Sequence, residues 1–241
     1  DGVFNIVTGS AKEIGMELTK NPKIKKISFT GSTEVGKILM EQSASTVKKL
    51  SMELGGHAPF IVFEDANIDE AVTGALQSKF RNSGQTCICT NRLFIHEKVY
   101  DSFLEKFTNE VKKIKVGNGL NDGIVSGPLI DKSSLDKVID HVQDAVNTGA
   151  KIAVGGEVHS LGGNFYQPTV LSNVSTEAKI TFEETFGPVA PLYKFSSDDE
   201  VIKMANDTPY GLASYFYSRD IGRIWKVAEA LEYGIVSINN G

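Results

Sequence analysis

Residues 26–53 read KISFTGSTEVGKILMEQSASTVKKLSME, and this stretch decides the fold. An apolar strand pattern at 26–30 leads through a glycine-containing turn into a helix pattern at 33–43, and a second strand pattern follows at 47–53. Because parallel strands need a long crossover connection, usually a helix, this spacing predicts a parallel sheet in an α/β fold.

The same alternation continues on both sides of that stretch. A strand is predicted at 3–7, and Ser10 and Glu13 have the spacing of a capping box that begins a helix. Further strands are predicted at 59–63, 92–96, 151–154, 166–171, 189–195, 214–218 and 235–239, and further helices at 68–80, 99–114, 134–147, 198–206 and 220–232. The sequence therefore predicts a partial Rossmann-type domain over residues 1–54, without its amino-terminal portion, and a second α/β domain with a mainly parallel sheet over 55–241.

Composition and charge exclude several classes of partner. The 241 residues carry 30 acidic and 25 basic side chains, a net charge of −5, with no basic run, so neither nucleic acid nor a membrane surface is an expected partner. Two cysteines are too few for a disulfide framework, which favours a reducing compartment and predicts a cytoplasmic location. The chain does not begin with methionine, so we expect a natural start elsewhere and a targeting signal would lie outside it.

The most informative residue is Cys87, in the run RNSGQTCIC at 81–89. A thiol in a short polar stretch just after a helix pattern ends is placed as a nucleophile would be, and the thiolate of cysteine is a strong nucleophile near neutral pH. The competing interpretation is a buried, inert thiol. Polar neighbours on the amino-terminal side of Cys87 favour the nucleophile.

Two other segments carry candidate chemistry. Glu53 ends a predicted strand just before Gly55 and Gly56, where it is either a general base or a solvated acid. The run GSTEVGK at 31–37 opens a helix whose amino end favours a phosphate. It has most of a P-loop, but Ile38 stands where a P-loop needs Ser or Thr, so a nucleotide triphosphatase is disfavoured, and an ordinary turn remains the alternative.

Taken together, the runs FTGSTEVG at 29–36, MELGG at 52–56 and EETFGP at 183–188 around Cys87 resemble the aldehyde dehydrogenase superfamily. The resemblance implies that Cys87 is the nucleophile, that Glu53 is the general base, that the cofactor is NAD or NADP, and that 55–241 is the catalytic domain. The residues it assigns to the cofactor are Gly31, Ser32, Gly36, Leu54, Glu184 and Phe186. It also implies a homodimer or homotetramer for the full-length protein. The family's oxyanion-binding asparagine falls upstream of this chain, so we expect the isolated chain to be inactive.

Within that family, the runs GQTCICTNR at 84–92 and EALEYGIV at 229–236 are similar to the succinate-semialdehyde dehydrogenase branch. This implies oxidation of succinate semialdehyde to succinate, with Arg81 binding the substrate carboxylate. Alternatively, Arg81 only complements the end of the preceding helix. Another aldehyde, such as glutarate semialdehyde, and a non-catalytic truncated partner both remain open.

The remaining cysteine and the histidines leave further alternatives. Cys89 is either a redox partner that forms a disulfide with Cys87 or a small apolar filler. A cysteine hydrolase would need a histidine base, yet none of the four histidines lies in a context typical of such enzymes, and His57 is expected to be structural or to line a pocket. No metal site is predicted, because the cysteines and histidines lack ligand spacing.

Overall fold

The computed structural model describes residues 2–241, which divide into two compact units, one ending at Gly55 and the other running from Gly56 to Gly241. The predicted boundary, after residue 54, lies one residue earlier. The predicted α/β class with a mainly parallel sheet is confirmed.

The first unit is a helix–strand–helix–strand segment. Its elements are α1 (Ala11–Lys20), β1 (Lys26–Thr30), α2 (Thr33–Ala44) and β2 (Lys49–Glu53). Strands β1 and β2 pair in parallel, and the hydroxyl of Ser10 caps α1 as predicted. The two strands end together, since the N–H of Gly31 donates to the carbonyl oxygen of Glu53 at 3.0 Å.

The strand predicted at 3–7 is wrong. This segment forms neither strand nor helix, and its apolar side chains are exposed, Val3 by 98% and Phe4 by 84%. A strand is stable only where a neighbour accepts its backbone hydrogen bonds. The sheet of the first unit consists of β1 and β2, and neither of them pairs with this segment.

The second unit is a seven-stranded sheet in the order β5-β6-β7-β4-β3-β8-β9, covered by helices. The strands are β3 (Ala58–Val62), β4 (Thr90–His96), β5 (Lys151–Val154), β6 (Thr169–Ser172), β7 (Val189–Phe195), β8 (Ala213–Tyr217) and β9 (Ile235–Ile238). The helices are α3 (Ile68–Phe80), α4 (Tyr100–Val111), α5 (Lys132–Asn147), α6 (Lys179–Phe182), α7 (Asp198–Asn206) and α8 (Ile221–Ala230). All neighbouring strands pair in parallel except β5, which is antiparallel to β6. The short helix α6 was not predicted.

Alternate side chains of the strands pack into two separate cores, one on each face of the sheet. Phe60 and Val62 of β3 face the core formed with α3 and α4, whereas Ile61 lies in the core formed with α5, α7 and α8. Each fully buried phenylalanine contributes about 1.5–3 kcal/mol relative to an exposed one. A strand buried on both faces reads as a continuous apolar run, which is why β3 was recognisable.

Among residues 2–241, no helix is both long and apolar enough to cross a membrane, and no three His, Cys, Asp or Glu side chains are grouped as metal ligands would be.

The order of the central strands brings distant segments together. Strands β3, β4 and β7 begin at Ala58, Thr90 and Val189, and they are adjacent and parallel, with β4 in the middle. Their amino ends therefore lie along one edge of the sheet. The segment that ends at His57 leads into β3, the segment that contains Cys87 leads into β4, and residues 183–188 lead into β7.

Candidate active site

Cys87 lies in the segment that leads into the amino end of β4, and its side chain is half-buried. The N–H of Cys89 donates to the carbonyl oxygen of Thr86 at 3.0 Å, so Cys87 and Ile88 occupy the middle of a tight turn. Regular strand pairing begins only at Thr90. The thiol is thus outside both cores, on a turn rather than within the sheet.

The backbone before this turn is strained. Helix α3 is followed by a 3₁₀ turn over Arg81–Gly84, in which Asn82 and Ser83 have φ values of 52° and 56°. The left-handed conformation costs a residue with a side chain roughly 1–2 kcal/mol. Such strain persists where surrounding contacts impose it, and it is concentrated at functional sites.

Side chains on either side of Gly84 supply those contacts. The hydroxyl of Ser83 accepts from the N–H of Gly127 at 2.9 Å and donates to its carbonyl oxygen at 3.1 Å. The side-chain amide of Gln85 accepts from the N–H of Ile130 at 3.0 Å and donates to the carbonyl oxygen of Pro128 at 3.2 Å. The loop around residues 126–130 therefore holds the segment before Cys87 in place, a role that sequence analysis missed because the partners are more than 40 residues apart.

Gly56 contacts both of the other segments that meet at this edge of the sheet. Its N–H donates to Oε1 of Glu184 at 3.1 Å, and a Cβ atom at position 56 would overlap the carbonyl oxygen of Cys87. Only glycine lets the chain pass this close. Likewise, Gly84 has φ +73°, and a Cβ atom there would overlap the carbonyl oxygen of Gly187.

The segment that contains Glu184 and Phe186 is supported by a histidine that sequence analysis did not assign. Nε2 of His141 lies 3.2 Å from Oε2 of Glu183, and its Nδ1 lies 3.2 Å from the hydroxyl of Thr185. Burial lowers the pKa of His141, and the hydrogen bond to Glu183 partly offsets this. Phe186 itself has φ 52° and exposes 37% of its surface.

In the first unit, the predicted cofactor residues surround the start of α2. Ser32 is the N-cap of α2, and its hydroxyl accepts from the N–H of Val35 at 3.3 Å. The side chain of Leu54 packs where a Cβ atom of Gly36 would lie. Glu53 is the last residue of β2 and precedes Gly56 by three positions. A helix that starts just beyond the carboxyl end of a parallel strand suits a phosphate group, because its first amides point outward.

Arg81 lies on a cavity of about 720 Å³ in the second unit. The cavity wall is mainly apolar and also includes Ile88, the residue after Cys87, and Tyr215. Among the described residues Arg81 forms no salt bridge. Arg81 is also exposed, so it places a cation at a cavity that reaches Ile88 of the nucleophile turn, although Cys87 itself is not among the residues that line it.

Cys89 is in a different environment from Cys87. It is 1% exposed, and its thiol donates to the carbonyl oxygen of Lys79 at 3.2 Å. Burial raises the pKa of the Cys89 thiol, although the charge of Lys79 opposes the shift. Lys79 is itself fully buried and donates to Oδ1 of Asn91 at 3.0 Å, a contact that was not predicted.

His57 and Arg92 form part of the structural support. Nε2 of His57 lies 2.9 Å from the carbonyl oxygen of Thr181, and burial, followed by the charge of Arg92, lowers the pKa of His57 to about 3. Arg92 is 1% exposed and donates from Nε to the carbonyl oxygen of His57 and from its other nitrogens to the end of α7. A neutral histidine held by a backbone carbonyl agrees with the structural part expected for it and disfavours a cysteine hydrolase that uses it as base.

The fold and site define a class of α/β protein that carries a candidate nucleophilic thiol on a tight turn, preceded by strained backbone, at the amino edge of a parallel sheet. The chain belongs to the aldehyde dehydrogenase family, whose model matches residues 1–241.

Individual relatives agree with this assignment. The chain is 58% identical over 240 residues to the succinate-semialdehyde dehydrogenase [NADP(+)] of Escherichia coli (strain K12), covering 100% of the chain and 50% of that protein. It is 55% identical over 240 residues to a glutarate-semialdehyde dehydrogenase of Pseudomonas aeruginosa, with the same coverage. The crystal structure of succinate-semialdehyde dehydrogenase from Burkholderia pseudomallei superimposes with a TM-score of 0.97 at 57% identity, over 98% of this chain and 49% of that one. The chain thus spans about half the length of the relatives it matches.

Proposed function

We propose that the whole protein to which this chain contributes oxidises an aldehyde to the corresponding carboxylate with NAD or NADP. The observation that carries the proposal is the position of Cys87 on a tight turn that follows a strained and anchored segment, with its carbonyl group against Gly56, whose N–H binds Glu184. Family membership supplies the reaction class.

In the proposed reaction, the thiolate of Cys87 adds to the carbonyl carbon of the aldehyde and forms a thiohemiacetal. That carbon then loses a hydride and becomes a thioester. NAD(P)⁺, when bound, supplies the hydride acceptor. Attack of water on the thioester releases the acid and restores the thiol.

Glu53 is proposed as the general base that removes a proton from the attacking water. It ends β2, three residues before Gly56, so the chain connects the proposed base directly to the glycine that contacts Cys87.

The cofactor residues are proposed in two groups. Gly31, Ser32, Gly36 and Leu54 would hold the phosphates at the amino end of α2, where outward-pointing amides and the helix dipole favour an anion. The other group would hold the nicotinamide end and consists of Glu184 and Phe186.

For the substrate, we propose a short aldehyde with a carboxylate at its other end, and succinate semialdehyde in particular. The cavity beside the Cys87 turn offers Arg81 as a cation without a salt bridge in the described chain, and a guanidinium binds a carboxylate through two parallel hydrogen bonds. Glutarate semialdehyde is the second candidate, because a relative at 55% identity is named for it. One additional methylene changes binding only modestly.

The whole protein is further proposed to be a cytoplasmic homodimer or homotetramer, which sedimentation and fractionation of the native protein would test.

The main test is formation of NAD(P)H by the whole protein with succinate semialdehyde and with glutarate semialdehyde. Cys87→Ala should lower the rate at least about a thousandfold, since it removes the nucleophile. Cys89→Ala is the matched control and should keep most of the activity. A wild-type protein that reduces neither cofactor with either aldehyde would support the alternative of a non-catalytic partner.

A further inference from the structure

Tyr215 reaches the nucleophile turn from the neighbouring part of the sheet. It lies on β8, and its hydroxyl donates to the carbonyl oxygen of Ile88 at 2.8 Å, across 127 residues of sequence. Ile88 is the residue directly after Cys87. Tyr215 lines the same cavity as Arg81.

This hydrogen bond completes a set of contacts that hold the main chain on the carboxyl side of the thiol. The peptide group between Ile88 and Cys89 is held at both ends, its oxygen by Tyr215 and its N–H by the carbonyl oxygen of Thr86 at 3.0 Å. The preceding peptide oxygen, that of Cys87, lies against Gly56. These contacts hold both peptide planes that flank Ile88, and one of them, the plane between Cys87 and Ile88, also helps to set the direction in which the Cys87 side chain leaves the backbone.

We propose that Tyr215 is a positioning residue, whose hydroxyl orients the Cys87 turn while its ring forms the adjoining wall of the substrate cavity. This inference rests on the proposed function of Cys87 as a nucleophile. Burial, reinforced by the charges of Cys89 and Cys87, raises the pKa of Tyr215, so the phenol stays protonated and remains a hydrogen-bond donor at neutral pH.

The two parts of Tyr215 have separable effects. Tyr215→Phe keeps the ring and therefore the cavity wall, so the KM for the aldehyde should stay within about twofold of wild type. Loss of the hydroxyl leaves the carbonyl of Ile88 unpaired and loosens the turn, so kcat should fall about tenfold or more, because misplacement of a reacting group by as little as 1 Å costs up to about a hundredfold.

The test is alkylation of Cys87 by iodoacetamide over a range of pH, followed by mass spectrometry of the peptide that contains Cys87, in the whole protein. Tyr217→Phe is the matched control, because Tyr217 lies two residues further along β8, on the same face of the sheet, with its ring 5.3 Å from that of Phe60. We expect Tyr215→Phe to alter the pH profile and slow the labelling of Cys87 about tenfold, and Tyr217→Phe to leave both within about twofold. Tyr215→Met, which also lacks the hydroxyl but fills much of the space, provides a second variant if the phenylalanine variant does not fold.

Equal labelling of wild type and Tyr215→Phe, or an equal loss in the Tyr215 and Tyr217 variants, would overturn the proposal. Alkylation requires neither aldehyde nor cofactor. The two claims can therefore fail separately. If the wild-type protein oxidises no aldehyde, the proposed function is refuted. If the Tyr215 variants alone are still labelled slowly at Cys87, the positioning role of Tyr215 stands.

Discussion

The α-carbon of Gly56 lies directly against the carbonyl group of Cys87, with no room for a side chain between them. The N–H of the same glycine binds Glu184. One residue at the amino end of β3 is therefore in contact with both of the other segments at this edge of the sheet.

We expect Gly56→Ala to displace the Cys87 turn, because the obstacle is a backbone oxygen rather than a side chain that could rotate away. Overpacking of this kind costs about 1–3 kcal/mol of stability. The rate of aldehyde oxidation should fall about a hundredfold, since the nucleophile moves relative to the substrate. Steady-state kinetics and urea unfolding measure the two effects.

The control for this prediction is Gly119→Ala. No atom lies within 4 Å of a Cβ atom at position 119, so this substitution should leave both measurements unchanged. Similar losses in the two variants would show that the contact between Gly56 and Cys87 is unimportant.

Arg81→Ala should raise the KM for succinate semialdehyde about 10–100-fold, because a bidentate, charge-assisted contact is lost. The KM for butanal, which has the same chain length without the carboxylate, should change by less than about threefold. Kinetics with both aldehydes measure the difference.

Arg81→Lys is the informative companion variant. It keeps a positive charge but not the planar fork, so its KM for succinate semialdehyde should lie between those of wild type and Arg81→Ala. If Arg81→Ala raises the KM for butanal and for succinate semialdehyde by the same factor, the arginine supports the end of α3 and does not bind the substrate.

Cys89 remains a predicted redox partner of Cys87. Peroxide should inactivate the wild-type protein, and dithiothreitol should restore most of its activity, because a disulfide is reducible whereas the higher oxides of a single cysteine are not. In Cys89→Ala the same treatment should be largely irreversible. If Cys89→Ala regains full activity, or if the wild-type protein regains none, Cys89 is not a redox partner. It is then a buried packing residue, as its 1% exposure indicates.

His57 should make the protein less stable in acid. Its pKa is about 3 in the folded chain, against 6.5 for an ordinary histidine. Below pH 6.5, His57 therefore binds a proton in the unfolded chain but stays neutral in the folded chain. The free energy of unfolding should therefore fall by about 1.4 kcal/mol for each pH unit between 6.5 and 3, which is about 2 kcal/mol at pH 5. Above pH 6.5 His57 should cause no loss. Urea unfolding at pH 7.5 and pH 5 measures this loss.

The comparison variant is His57→Asn, whose side-chain amide can still donate to the carbonyl oxygen of Thr181. It should lose about 2 kcal/mol less than wild type between the two pH values. His159→Asn, at a half-buried loop position, should lose as much as wild type. An unchanged pH dependence in His57→Asn would mean that His57 does not cause the loss.

The helices and strands of the second unit were largely predictable, because local patterns carry them. Helix α3 has the bounds predicted for it, 68–80, and the apolar run of β3 marks a strand buried on both faces. The strand predicted at 3–7 failed because strand formation depends on a neighbour that the local pattern does not contain. The buried positions of Lys79 and Arg92 were equally invisible, since their partners are polar atoms distant in the sequence.

The sequence by itself determined which residues are chemically capable, namely a thiol before one strand, a carboxylate at the end of another and an arginine close to the thiol. Only the tertiary structure decided that β4 lies between β3 and β7, so that the segments before these three strands share one edge of the sheet. The physical reason is that hydrogen-bonding strands can be ordered in many ways without changing their local patterns, whereas the packing of both faces selects one order. The hydrogen bond from Tyr215 to Ile88 likewise joins residues that are 127 positions apart, so no local pattern in the sequence shows it.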